Sequence, residues 1–464
     1  MSTATVTNPF DGSKIKDVAK KSAAELEQAL VSASAVFEDQ KDALPTYRRI
    51  EILEKTVEIM SSRVEDLTKL AASEGGKPYM DSKTEVLRAI QGVKLAIEHI
   101  PQIKGEQIPM GLTEGSSNRL AFTQREPIGV VMSVSAFNHP LNLIVHQTVP
   151  AIAVGCPVII KPSNSTPLSC LAFVDILREA GLPENWCQAV VCAGSDAEKL
   201  VTDPRVNFFS FIGSARVGWM LRSKLAPGTR CALEHGGVAP VIVDESADIP
   251  TTVSSILKGG FYHAGQVCVS VQRVYAQASI CNDLANLLAD QANKLVVGDP
   301  LDEKTEVGPL ITTREVDRVA QWVEEAVAKG GKLLAGGKRV SETCYAPTVI
   351  LDPPSDCSLS QEEVFGPVVC VYSYQDKLDA VDRANSLSVA FQAAVYTQRL
   401  DDALQLSQKL NATAVMINDH TAFRVDWMPF GGRDSSGIGM GGIQYSMHEM
   451  TREKMTVIKS DVLQ

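Results

Sequence analysis

Apolar residues recur at helical spacing between Ser22 and Gln40, at Leu26, Leu30 and Phe37, and more strongly at Ile50, Leu53, Val57, Met60, Val64 and Leu67. Each run reads as one amphipathic helix. Gly75-Gly76 and Pro78 end the second, and a third helix is expected from about Ser82 to His99. Between Pro109 and Pro127 the pattern changes to a turn, Gly115-Ser116-Ser117-Asn118, followed by Leu120-Ala121-Phe122-Thr123. That reads as a β-hairpin, an arm suited to reaching another subunit. After Pro127, short apolar runs alternate with helical ones. The runs are Val130 to Val134, a helix near Leu141 to Val154, Val158 to Ile160, a helix near Leu168 to Ala180, Ala189 to Val191, Phe208 to Phe211, a helix from about Ala215, and Val241 to Val243. Such alternation predicts parallel βαβ units in a covered sheet, an α/β fold whose strand ends suit a nucleotide. A second α/β region starts near Gly237 and includes Val271 to Tyr275, Val368 to Tyr372, Ala393 to Tyr396 and Val415 to Asn418.

Composition narrows the possible functions. A chain of 464 residues is too long for one core, so two or three domains are expected. A net charge of −11, with no lysine or arginine block, argues against a nucleic-acid partner. The longest apolar stretch, Val149 to Ile160, is broken by Pro150, Gly155 and Pro157 and falls short of the ~18 residues of a membrane span. The N-terminus lacks the basic start and apolar run of a secretory signal. Ten cysteines without a C-x-x-C pair offer neither a disulfide framework nor a zinc site, which fits a reducing cytoplasm and implies no metal.

Cys268, in Phe261 to Ser270, is the candidate nucleophile. Taken alone it reads as a small buried hydrophobe, as most free cysteines do. Four other stretches change that. Phe137-Asn138-His139-Pro140 follows a strand and displays the Asn138 amide at its end. Ile159-Ile160-Lys161-Pro162-Ser163 does the same for Lys161. Phe211-Ile212-Gly213-Ser214-Ala215-Arg216-Val217-Gly218 runs strand, turn, helix, an arrangement whose free N–H groups suit a phosphate. Glu234-His235-Gly236-Gly237 places a carboxylate before a turn. Each has a plain reading as turn, solvated charge or surface carboxylate.

Taken together, FNHP, IIKPS, FIGSARVG, EHGG, GQVC, EEVFGPV (Glu362 to Val368) and MPFGG (Met428 to Gly432) resemble the aldehyde dehydrogenase superfamily over essentially the whole chain. The resemblance implies Cys268 as nucleophile, Glu234 as general base and Asn138 as oxyanion donor. For an NAD or NADP cofactor it implies Lys161 at the adenosine ribose with Ser163 and Asn164 beside it, Gly213, Ser214 and Gly218 near the pyrophosphate, and Glu363 with Phe365 at the nicotinamide ribose. It implies a Rossmann-like cofactor domain (1–108 and 128–236), an α/β catalytic domain (237–442) and a small β oligomerisation element (109–127 and 443–464), in a homodimer or homotetramer. The partner is a small-molecule aldehyde.

Three positions depart from the family pattern. Ile212 stands where threonine is common, and His235 where leucine is usual; a packed neutral histidine is the preferred reading of His235. Asn164 stands where NAD-preferring members often carry glutamate. A carboxylate there would repel a 2′-phosphate and an amide would not, so NADP is expected to be accepted. Arg424, before MPFGG, has two readings: a clamp for a carboxylate, phosphonate or sulfonate on the substrate, or an internal pair with Asp426 or the backbone. Phe137 and Trp427 are expected as apolar walls. The competing functions are a CoA-acylating enzyme, which Glu234 argues against, a cysteine hydrolase using Cys268 with His263 or His235, and a non-catalytic ligand-binding or structural member.

Overall fold

The computed structural model describes residues 2–39 and 43–463. Gln40, the expected end of the first helix, and Gln464 lie outside the described residues. The first helix is Ala23–Glu38, opened by a capping box: Ser22 Oγ accepts from the Glu25 N–H and the Glu25 carboxylate accepts from the Ser22 N–H. The expected second helix is two, Thr46–Ser62 and Val64–Gly75, broken at Arg63 with φ −117°. The apolar period runs on across the break, so the pattern could not locate it; Arg63 itself reaches Glu179 at 2.8 Å. Gly76 ends the pair at φ +70°, where an added Cβ would lie 2.8 Å from Pro9 and 2.9 Å from Pro309. The third helix, Tyr79–His99, starts just after Pro78 and earlier than expected.

The expected hairpin within 109–127 is different in detail. Its first strand is Gln107–Ile108, before Pro109, and it pairs with Arg119–Pro127. The longer partner of Arg119–Pro127 is the C-terminal strand Thr451–Lys459, antiparallel from Thr451 opposite Pro127 to Lys459 opposite Arg119. Local sequence shows two adjacent strands but not that the stronger pairing crosses most of the chain.

Two large sheets position the site. The first has the order Gly437–Ile438, Arg230–Glu234, Val206–Ile212, Val130–Val134, Val158–Lys161, Cys187–Ala189, and is parallel except for Gly437–Ile438. The strand expected at Ala189 to Val191 thus sits slightly earlier. The chain leaves Val130–Val134 on one side and returns on the other with Val206–Ile212, which makes the carboxyl ends of these strands a topological switch point. The second sheet has the order Lys332–Ala335, Thr348–Leu351, Val368–Tyr374, Val271–Gln277, Ala239–Val243, Gln392–Tyr396, Ala414–Ile417. Val241 to Val243, expected to continue the first series, instead lies in this second sheet between Val271–Gln277 and Gln392–Tyr396, a pairing that depends on residues distant in sequence, and its fully buried apolar side chains show that helices cover both faces. Each such side chain contributes roughly 1.5–3 kcal/mol through burial.

After the second sheet the chain returns to the first. Gly437–Ile438 adds to its edge, and the helix Ile443–Glu449 buries Ile443 and Met447 in the core around Leu141 and Val145. Among the described residues, no helix is long and apolar enough to cross a membrane, and no group of three or more His, Cys, Asp or Glu is placed to hold a metal.

Candidate active site

The carboxyl ends of the first sheet face the amino ends of Val271–Gln277 and Val368–Tyr374, and a cavity of about 740 Å³ lies between them. Its size is that of a site for a cofactor-sized ligand. It is lined by Phe137, Asn138, Ser163, Gly213, Ser214, Glu234, Cys268, Glu363, Phe365 and Arg424, so ten of the expected site residues meet there.

Cys268 sits just after a strained turn. His263 and Ala264 have φ +49° and +54°, and Gly265 follows at φ +69°, where a Cβ would fall 2.1 Å from the Gly366 carbonyl oxygen. Gln266, buried, holds this turn: its side chain donates to the Pro309 carbonyl at 3.1 Å and accepts from the Ile311 N–H at 2.9 Å. The Gln266 carbonyl accepts one hydrogen of Asn138 Nδ2 at 2.9 Å, leaving the amide's other hydrogen free. Glu234 ends its strand, and three residues on the Gly237 N–H donates to the Cys268 carbonyl at 3.2 Å, tying the Glu234 loop to the Cys268 loop.

The electrostatics separate the two groups. Burial pushes the Cys268 thiol well above its ordinary pKa, and the nearby Glu234 and Glu363 carboxylates add to this while Arg424 opposes it. Cys268 therefore rests as a thiol and needs a base to become a nucleophile. Burial also pushes Glu234 up to about 7, opposed by Arg424. A second, small cavity of about 30 Å³ adjoins Glu234 and is lined also by His146, Gln147 and Ser446, with room for a water molecule.

At the other end, the Glu363 carboxyl is pushed up to about 8 by burial, and its Oε1 is buried with no partner. Gly236 leaves it room: a Cβ there would fall 1.8 Å from Glu363 Oε1. Ser214 caps the helix Ala215–Arg222 without a side-chain bond, so the first N–H groups stay open to an anion. An orphaned carboxyl for ribose hydroxyls and an open helix end for phosphates fit a dinucleotide. Phe137 and Phe365 meet edge-on at 5.8 Å.

Four expected site residues do not line the cavity. Lys161, mostly buried, donates to the Pro162 carbonyl and to Asn164 Oδ1 at 2.9 and 3.2 Å, so it and exposed Asn164 stand beside Ser163, outside the lining. Gly218 makes room for His235, whose Cε1 lies 2.0 Å from where a Cβ would be. Trp427 is 51% exposed and is no wall, because its neighbour Asp426 is pulled inward. Asp426 is also not the partner of Arg424. Burial would raise its pKa, but His146 and Arg88 hold the carboxylate below its ordinary range. Arg88 donates to it at 2.8 and 3.0 Å and His146 Nε2 at 2.8 Å. The Arg424 guanidinium instead lies 3.5 Å from the Phe430 ring centroid, with its Nε buried and unpartnered.

His235 is the packed neutral histidine expected. It donates from Nδ1 to the Gly213 carbonyl at 2.9 Å and sits between Phe211 and Trp219. Both nitrogens of His263 are buried without partners. Neither histidine bonds Cys268, so there is no Cys–His pair for a hydrolase. The cavity also holds Arg88, His139, Tyr262, Arg216 and Arg318, for which the sequence suggested no role. His139 lay inside the FNHP stretch and was open to notice; Arg88 meets Asp426 across 338 residues, which no local pattern signals.

A profile of the aldehyde dehydrogenase family matches residues 1–456. The chain is 36% identical to 3-sulfolactaldehyde dehydrogenase of Priestia aryabhattai, over 98% of this chain and 94% of that protein. Aldehyde dehydrogenase 21 of Physcomitrella patens, solved with its reaction product succinate, superposes with TM-score 0.95 and 34% identity, covering 99% of this chain and 95% of that one. Glyceraldehyde-3-phosphate dehydrogenase GapN of Methanocaldococcus jannaschii, solved with NADP, superposes with TM-score 0.93 and 36% identity, covering 98% and 99%. The chain belongs to the aldehyde dehydrogenase family. It is an NAD(P)-dependent oxidoreductase acting on aldehydes.

Proposed function

We propose that this chain oxidises small aldehydes bearing an anionic end group to the corresponding acids, and that it accepts NADP. The observation that carries the substrate reading is Arg424, an unpaired guanidinium stacked on Phe430 in the cavity that also holds Cys268. A guanidinium with no direct ion-pair partner among the described residues, reached by the Glu234 and Asp426 charges only at a distance, favours an anionic ligand. Sulfolactaldehyde, succinate and glyceraldehyde 3-phosphate, from the names of the three relatives, are all anionic and support it.

Cys268 adds to the aldehyde carbon as its proton passes to water in the cavity, a transfer that Glu234 speeds because its raised pKa suits it to hold a proton near neutrality, and that goes on more slowly without it. The alkoxide that forms is held by the free Asn138 Nδ2 hydrogen and the Cys268 N–H; losing one such donor costs ~10²–10³ in rate. A bound nicotinamide supplies the hydride acceptor. With its proton released, Glu234 takes a proton from the water that attacks the Cys268 thioester, freeing the acid and the thiol. Glu363 and the N–H groups after Ser214 hold the cofactor. Lys161 and Asn164 favour a 2′-phosphate, because Lys161 has no carboxylate partner.

The first sheet with its helices serves as the cofactor domain, the second as the catalytic domain, and the strands Arg119–Pro127 and Thr451–Lys459 as the oligomerisation element of a homodimer or homotetramer. Exposed Met455, Val457 and Ile458 on the last strand support the last point. Ten unpaired cysteines support a cytoplasmic location. The test is oxidation of paired anionic and neutral aldehydes with NADP and NAD, without CoA, by wild type and Arg424→Ala. The substitution should raise KM for anionic aldehydes by at least tenfold more than for neutral ones, about 1.4 kcal/mol. Equal changes would make Arg424 structural, and turnover only on adding CoA would replace hydrolysis with acyl transfer.

A further inference from the structure

His139 lines the cavity directly beside Asn138, and a buried lysine fixes its protonation state. Lys77, fully buried, places Nζ 2.6 Å from His139 Nδ1 and also pairs with Glu85. The other Glu85 oxygen accepts the Leu141 and Asn142 N–H groups at 2.9 and 3.0 Å, pinning the start of the helix that follows His139. Burial lowers the Lys77 pKa, but the Glu85 carboxylate paired with it opposes this and keeps Nζ an ammonium, which has only hydrogens to offer, so Nδ1 must accept and the ring hydrogen must sit on Nε2. Burial, and then the Lys77 charge, hold the ring neutral, so this tautomer persists across the working pH range.

Nε2–H has no acceptor among the described residues. It is a donor committed to the cavity, held by an ion pair that no step of the reaction uses. The Asn138 amide, the His139 Nε2–H and the Arg424 guanidinium line the same cavity, and the Arg424 charge acts on the His139 ring. Asn138 and His139 are consecutive on the loop that lines the cavity, so a ligand whose aldehyde oxygen meets the Asn138 amide offers its next polar group to His139 and leaves Arg424 for a terminal anion.

We propose that His139 Nε2–H donates to a hydroxyl on the carbon next to the aldehyde, so that His139 selects 2-hydroxy aldehydes. This rests on the aldehyde-oxidising reading above and deepens it.

Four aldehydes isolate the two substrate features: lactaldehyde, propanal, 3-sulfolactaldehyde and 3-sulfopropanal, each with saturating NADP. His139→Leu should lower kcat/KM about tenfold for both hydroxy aldehydes and leave both deoxy aldehydes within about twofold, the range of one neutral hydrogen bond. His139→Gln, which keeps a donor, should restore most of the hydroxyl preference. Equal loss on all four, loss that follows the sulfonate, or a wild type without hydroxyl preference would overturn the assignment. Calorimetric titration with 3-sulfolactate and 3-sulfopropanoate reads the same preference without turnover. Tighter wild-type binding of the hydroxy acid, lost in His139→Leu, upholds it even if no aldehyde is oxidised; equal affinities sink it whatever the turnover.

Discussion

Burial acts on Cys268 and Glu234 in the same direction and gives them different jobs. It keeps the thiol protonated, and it raises the carboxyl to about 7, into the range where it exchanges protons. Glu234 accepts protons only when ionised, so turnover should fall as pH drops through about 7 and level off above it. A pH profile of kcat/KM checks this, and Glu234→Gln should remove that limb along with most of the rate. Cys268→Ala should abolish oxidation while leaving NADP binding intact, measured by protein-to-nicotinamide fluorescence transfer; turnover near wild type would exclude Cys268. The chemistry of these residues was legible because each stands in a short stretch at a strand end. What escaped was their partners: Lys77 lies 62 residues from His139, and Asp426 turned out to serve Arg88 rather than its near neighbour Arg424.

Among the elements, the loop Glu234 to Gly237 shows how a backbone position can control a cofactor site. Gly236 has no side chain because Glu363 occupies that space. Gly236→Ala should displace the Glu363 carboxylate and weaken NADP binding about tenfold with little change in unfolding midpoint. Unchanged binding with lowered stability would make Gly236 a packing residue and nothing more. Helices and parallel strands were readable from period and alternation. The break at Arg63, the antiparallel edge strand Gly437–Ile438 and the true partner of Arg119–Pro127 were not, because each depends on contacts distant in sequence.

Across the whole molecule, Asp426 anchors the loop carrying Arg424 to the helix Tyr79–His99 through Arg88 and to Asn142–Val154 through His146. Asp426→Ala leaves a largely buried cation unpaired and should lower unfolding free energy by about 3–5 kcal/mol in urea titration. In the surviving folded protein, KM for anionic aldehydes should rise while KM for NADP stays. A uniform effect on both would mean the anchor serves stability alone. The most direct measurement of the central claim is the intact mass of Glu234→Gln after incubation with 3-sulfolactaldehyde and NADP. The account predicts a protein carrying one sulfolactyl group, absent once Cys268 is also replaced by Ala. An unmodified protein that still turns over like wild type would contradict it.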